Sequence, residues 1–198
     1  MQNPLGRSLF ATALVVAEIL VASPARAQSQ AGATMAAAPA PAPAVGATAP
    51  DFKAVATDST GKEIPVSLAA LRGKVVVLAF YPLDRSQGCT AELNKFRDEY
   101  TTLFGDGVVV LPASVDSLAS HAGWAKDAHF PFAMIADPSG DLAREYASAA
   151  PNRKYFNRTV YVIGRDGKIT YEDLRFGALS QDAYDKLAAA IKTAKSTM

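Results

Sequence analysis

Three features of this 198-residue sequence place it in the α/β class, with a mixed central β-sheet flanked by helices. Apolar, β-branched runs alternate along the chain with segments of helical spacing. One run, at 75–80, is apolar at every position, the pattern of a strand covered on both faces. Near the C-terminus two strand-like runs flank Arg165-Asp166-Gly167, a hairpin signal, and an amphipathic helix follows.

In order along the chain, residues 52–55 and 63–66 read as short strands around the turn cluster Asp58-Ser59-Thr60-Gly61. Residues 68–71 form one helical turn, stopped by Gly73, and the buried strand at 75–80 ends at Pro82. After a loop at 83–88, Leu93, Phe96, Tyr100, Leu103 and Phe104 recur at helical spacing up to Gly105. Residues 108–111 are a second buried strand, Ser117 caps a helix running to about Ala128, and residues 132–135 are a third strand. A short helix spans 141–146, and the hairpin pairs 159–163 with 168–171. Ser180 then caps a last helix that carries Ala183, Tyr184, Leu187 and Ile191 on one face. There are no internal repeats.

The first 27 residues lie outside this pattern and read as a secretory signal. Arg7 supplies the positive start, residues 9–22 are mostly apolar with Glu18 interrupting them, and Ala25-Arg26-Ala27 has small residues at both cleavage positions. An uncleaved anchor would need about 20 apolar residues, more than this stretch offers. Residues 28–44 are Ala, Pro, Gln, Gly and Ser with few exceptions, a composition that cannot bury enough apolar surface to offset its ordering entropy. The expected organisation is therefore a signal peptide at 1–27, an Ala/Pro-rich disordered linker at 28–44 and one domain at 45–198, in an exported protein, periplasmic or secreted. Cleavage after Ala27 leaves 18 basic and 18 acidic residues, and without a basic cluster nothing favours a nucleic-acid partner. A single cysteine excludes an internal disulfide, so the fold must rest on an apolar core.

That cysteine is also where the chemistry concentrates. In Phe80-Tyr81-Pro82-Leu83-Asp84-Arg85-Ser86-Gln87-Gly88-Cys89-Thr90-Ala91-Glu92 a strand delivers the chain to a loop, and the loop sets Cys89 near the first turn of a helix. Unpaired N–H groups and the helix dipole there favour the thiolate, which is the reactive form. Ser86, three residues upstream, can turn its hydroxyl toward the sulfur or a bound oxygen, or shape the loop and cap the helix. Pro82 shields the pocket and removes a donor that would otherwise need pairing.

Pro82-x-x-x-Ser86-x-x-Cys89 resembles the signature of the peroxiredoxin family (AhpC/TSA-like), Pro-x-x-x-Thr/Ser-x-x-Cys. The longer string is similar to the peroxiredoxin Q, or bacterioferritin-comigratory-protein, branch. The likeness continues in order through Val45-Gly46 with Ala49-Pro50-Asp51-Phe52, Phe96-Arg97-Asp98, Val115-Asp116-Ser117 with Ser120-His121, and Arg158-Thr159-Val160-Tyr161-Val162-Ile163 with Asp166-Gly167-Lys168-Ile169. One short motif is weak; several in order are strong.

The resemblance implies a thioredoxin-like fold and a thiol peroxidase that reduces hydrogen peroxide or organic hydroperoxides. It makes Cys89 the peroxidatic nucleophile and brings Arg158 beside it from a neighbouring strand. Ser86 would hydrogen-bond the peroxide, and Glu92 would orient the arginine without touching substrate. No cofactor and no metal are implied, and the protein is expected as a monomer or homodimer. Three positions depart from the branch: Ser86 where Thr is commoner, Gln87 where Pro is frequent, and Asn94 where many members carry a resolving cysteine. This is the one-cysteine form, and its sulfenic acid needs an external thiol, whether a thioredoxin-like protein, a glutaredoxin or a small thiol.

Two other functions fit such a fold. A thioredoxin-like disulfide oxidoreductase ordinarily uses Cys-x-x-Cys, and here Ser86 holds the first place. A non-catalytic binding module keeping the same fold is the third reading. His121 and His129 are expected at the surface or at helix ends, Trp124 in packing, and Asp116, Asp137 and Asp141 in caps and turns. The charged stretch 92–99 is expected to be a solvated helix face.

Overall fold

A run without polar residues must be covered on both sides, and the computed structural model, which describes residues 41–149 and 154–197, shows how. Strand β3 (Val75–Phe80) lies between β4 (Val108–Ser114), which pairs with it in parallel, and β6 (Thr159–Ile163), which pairs antiparallel. With β1 (Lys53–Thr57), β2 (Glu63–Ser67), β5 (Met134–Ala136) and β7 (Ile169–Asp173) they form a mixed seven-stranded sheet in the order β2-β1-β5-β4-β3-β6-β7. The helices are α1 (Gln87–Asp98), α2 (Leu118–Ala128), α3 (Asp141–Glu145) and α4 (Gln181–Ser196). The cleavage site at Ala27 and the tether up to residue 40 lie outside the described residues.

Alternation along β3 divides the core into two layers. Val75, Val77 and Ala79 point to one side, where Leu93 and Phe96 of α1, Trp124 of α2 and Tyr184, Leu187 and Ile191 of α4 cover them. Val76, Leu78 and Phe80 point to the other, against Phe52, Leu142, Tyr146 and Phe156. All six β3 side chains are buried. Full burial of a Val, Leu or Phe side chain contributes about 1.5–3 kcal/mol, whereas exposed ion pairs such as Lys186–Asp182 add little. The apolar layers therefore hold the fold.

Three elements differ from expectation. The helix after Cys89 ends at Asp98, and Tyr100–Phe104 form a wider π-helical turn closed by Gly105 at φ 63°. That turn brings Leu103 and Phe104 into the core, with Phe104 edge-on to Phe96 at 5.2 Å. Strand β4 runs past Pro112 to Ser114, because β5 pairs only with Ala113 and Ser114 and needs no N–H from the proline. Ser180 occupies the position before α4 without a side-chain cap, whereas Ser117 does accept a bond from the Ser120 N–H at 3.2 Å.

Candidate active site

The parallel strand that follows Phe80 in space, β4, takes the chain one residue further: the Tyr81 N–H bonds to the Ala113 carbonyl at 3.0 Å. Beyond it the loop closes on itself. Ser86 sits at the N-cap of α1 with φ −68° and ψ 152°, its hydroxyl donating to the Leu83 carbonyl at 3.0 Å. Its own carbonyl accepts from the Thr90 N–H at 2.8 Å, starting the helix. Cys89 is the third residue of α1 and is fully buried.

Strand pairing supplies the cation. Phe80 at the end of β3 is opposite Thr159 at the start of β6, so Arg158 emerges beside the loop that β3 feeds. Its Nη2 donates to Cys89 Sγ at 3.3 Å, and its Nη1 pairs with Glu92 Oε2. Cys89 and Glu92 are three residues apart on α1 and share a face, so one guanidinium spans both. The Phe176 N–H holds the Arg158 carbonyl at 3.1 Å. Gly88 makes room: a β-carbon there would stand 3.3 Å from Nη2.

Glu92 is wholly buried, and its Oε1 has no partner among the described residues. Burial pushes its carboxyl up to about 7, with the Arg158 charge and hydrogen bond pulling only part of the way back. For Arg158, burial opposes the charge, but the Glu92 carboxylate and the Cys89 sulfur outweigh it and its affinity for the proton rises. The guanidinium is thus a fixed cation whose fork sets one donor against the thiol and the other against Glu92.

Of the residues singled out in the sequence, Cys89, Arg158 and Glu92 come together. Ser86 is half-buried beside them and is bonded to Leu83 rather than to the sulfur; Pro82 is half-buried at the start of the loop. Glu92 corrects the reading of 92–99 as a solvated face, since it is buried and only the later charged residues, Lys95, Arg97, Asp98 and Glu99, reach solvent. His121 is a second correction. It is not at the surface but fully buried under the loop, with Nδ1 2.9 Å from Asp84 Oδ2. His129 does end α2, in the left-handed conformation, and Trp124 packs edge-on to Tyr81 at 6.1 Å. Neither Asp84 nor Tyr81 is legible as part of this cluster from the sequence: an aspartate in a loop reads as a turn residue, and nothing local shows that it points inward. Two surface clefts, one between residues 101–105 and α4 and one beside Val45 and Ile169, lie away from Cys89.

Comparison with known proteins identifies the family. The chain is 30% identical over 155 residues to alkyl hydroperoxide reductase C of Bacillus subtilis strain 168, covering 76% of this chain and 82% of that one. It is 34% identical over 129 residues to the chloroplastic peroxiredoxin Q of Triticum aestivum, covering 64% of this chain and 57% of that longer one. Among solved structures it resembles peroxidoxin BcpB from Mycobacterium tuberculosis with a TM-score of 0.65 and 28% identity, over 76% of this chain and 97% of that one. The model of the AhpC/TSA family matches residues 45–172, a span that holds the loop, Cys89, Glu92 and Arg158. With the thioredoxin-like sheet and a cysteine set against an arginine at the head of α1, the chain belongs to the AhpC/TSA family, the peroxiredoxins, and is a thiol-dependent peroxidase.

Proposed function

We propose that Cys89 is the peroxidatic nucleophile and that Arg158, Ser86 and Pro82 form its pocket. The observation that carries this is the 3.3 Å contact from Arg158 Nη2 to Cys89 Sγ at the first turn of α1. The Cys89 thiolate attacks one peroxide oxygen; the O–O bond breaks, an S–O bond forms, and the leaving alkoxide or hydroxide takes up a proton to become alcohol or water. Charge moves onto the leaving oxygen in that step, so donors fixed in advance stabilise the transition state more than the bound peroxide. Glu92 holds the guanidinium in place from behind. By analogy with the alkyl hydroperoxide reductase it resembles, organic hydroperoxides stand beside hydrogen peroxide as substrates.

Cys89 is the only cysteine, so the sulfenic acid is resolved from outside. A first external thiol condenses with it, releasing water and leaving a mixed disulfide. A second thiol, from the same thioredoxin-like or glutaredoxin-like partner or from another small thiol, frees Cys89 and leaves as the oxidised disulfide. Without added thiol one equivalent of peroxide should be consumed per chain, and intact mass should show one added oxygen that a sulfenic-acid trap captures. Sustained turnover with no thiol would overturn this reading, as would a protein that leaves peroxide untouched with dithiothreitol present. We further propose export, periplasmic or secreted, on the strength of Ala25-Arg26-Ala27 behind the apolar stretch.

A further inference from the structure

Arg85 stands midway along the loop between β3 and Cys89 with φ 58°, the left-handed region that a residue with a β-carbon occupies only under constraint. Its own side chain is not the constraint. The Arg85–Asp127 ion pair joins groups 51% and 63% exposed, too solvated to hold a strained backbone.

The residue before it is held from every side. The Asp84 N–H donates to Asp116 Oδ2 at 2.8 Å, and Ser114 Oγ donates to that same oxygen at 2.8 Å. The Asp84 carboxylate accepts from Tyr81 OH at 2.7 Å, from Ser120 Oγ at 2.6 Å and from His121 Nδ1 at 2.9 Å. His121 is fully buried, and its Nε2 lies 3.2 Å from the Ile135 carbonyl oxygen of β5. Both ring nitrogens therefore face acceptors. A neutral imidazole has one N–H and would set a lone pair against an oxygen on one side; the imidazolium satisfies both.

The surroundings agree. Burial alone would raise the Asp84 carboxyl, but the His121 hydrogen bond and charge, then Ser120 and Tyr81, bring it below its ordinary value. Burial and the Asp84 charge drive the Tyr81 phenol far up, so it stays a donor. Tyr81 and Asp84 face His121 from the segment after β3, Asp116 reaches the same loop from the end of β4, and β5 presents the Ile135 carbonyl.

We infer that Asp84 and His121 are positioning residues for the peroxidase reaction, a buried carboxylate–imidazolium pair that ties the loop to α2 and β5 and so keeps Pro82, Ser86 and Cys89 in their reactive arrangement. The inference rests on Cys89 as nucleophile. Neither residue touches the sulfur; each acts through the loop backbone, five residues from the thiol.

The test uses the full chain as parent, Asp84→Asn, His121→Phe and the double variant, with Cys89→Ser as the inactive reference. His121→Phe should lose about ten- to a hundredfold in the second-order rate with hydrogen peroxide, the scale of a catalytic group misplaced by about 1 Å. Asp84→Asn, which can still form a neutral hydrogen-bonded pair, should lose less. The double variant should lose no more than His121→Phe alone, because the two act as one unit. The pH at which iodoacetamide alkylates Cys89 half-maximally should move up in each variant, a readout that does not depend on peroxide being the substrate. Ring 15N shifts of His121 in the parent should show both nitrogens protonated. A folded His121→Phe with the parent rate and alkylation profile would overturn the inference. If that variant fails to fold, Asp84→Asn decides: an upward shift supports the anchor, and a parent-like profile or a ring with one protonated nitrogen sinks it.

Discussion

Cys89, Arg158, Ser86 and Glu92 supply different things, so their substitutions should rank rather than tie. Cys89→Ser removes the only thiol of the chain, and peroxide reduction should vanish. Arg158→Ala removes a fixed cation and two donors at once, and by analogy with loss of a transition-state donor should cost on the order of 10²–10³ in rate. The alkylation profile of Cys89 should move to higher pH with it, since the neighbouring positive charge favours the thiolate. Ser86→Ala should cost less, because what it surrenders in the resting structure is the bond to Leu83, and Ser86→Thr should behave as the parent. Stopped-flow peroxide kinetics order the series; a folded Arg158→Ala protein as fast as the parent would remove Arg158 from the site. Glu92 carries a pH signature of its own. Its carboxyl is raised from an ordinary 4.5 to about 7 in the folded chain, so it favours folding while protonated, fully below about 4.5, and that stability is lost as pH rises through about 7. The shift corresponds to roughly 3 kcal/mol. Denaturant unfolding of parent and Glu92→Gln between pH 4.5 and 8 should show the parent losing stability relative to the variant as pH rises, while Glu92→Gln reduces peroxide more slowly because Arg158 has lost its backing.

Whole elements stand or fall by their buried faces. Helix α4 covers β3 and β6 through Ala183, Tyr184, Leu187 and Ile191, and Leu187 is fully buried. Leu187→Ala should destabilise by about 2–5 kcal/mol, transfer and cavity together, whereas Lys186→Ala, at an exposed ion pair, should leave the urea midpoint unchanged. Equal effects of the two would mean that α4 is not held by its apolar face. The same distinction explains which elements can be read from sequence. β3, the hairpin and α2 are legible because their signals are local: an unbroken apolar run, Arg165-Asp166-Gly167, and Ser117 as a cap. β4 reads three residues short because proline normally ends an interior strand, and only the brevity of β5 makes Pro112 harmless. The π-helical turn at 100–104 keeps apolar residues at near-helical spacing, so periodicity runs straight through it.

For the molecule as a whole, one cysteine separates structure from turnover: the core holds the fold without an internal crosslink, and in the proposed cycle another molecule supplies the resolving thiol. Export is to be read from the N-terminus. Protein recovered after translocation should begin at Gln28, and trimming of the segment up to about residue 44 should leave peroxidase activity intact, since the family match begins at residue 45. Chain recovered from outside the cytoplasm that still begins at Met1, or activity lost on trimming, would count against this organisation.

The sequence by itself determined the α/β class, the order of the elements, the buried strand β3 and the place of Cys89 at the head of a helix, because each follows from neighbours within a few residues. It named Arg158 only through family likeness. What tertiary structure decided was proximity: the pairing of Phe80 with Thr159 sets Arg158 against a sulfur 69 residues away, and β4 and β5 carry His121 under a loop whose Asp84 lies 37 residues back. The physical reason is that a strand's composition says it will be covered but not by which strand, and a loop carboxylate or a helix histidine reads as solvated until the packing of other elements removes the water.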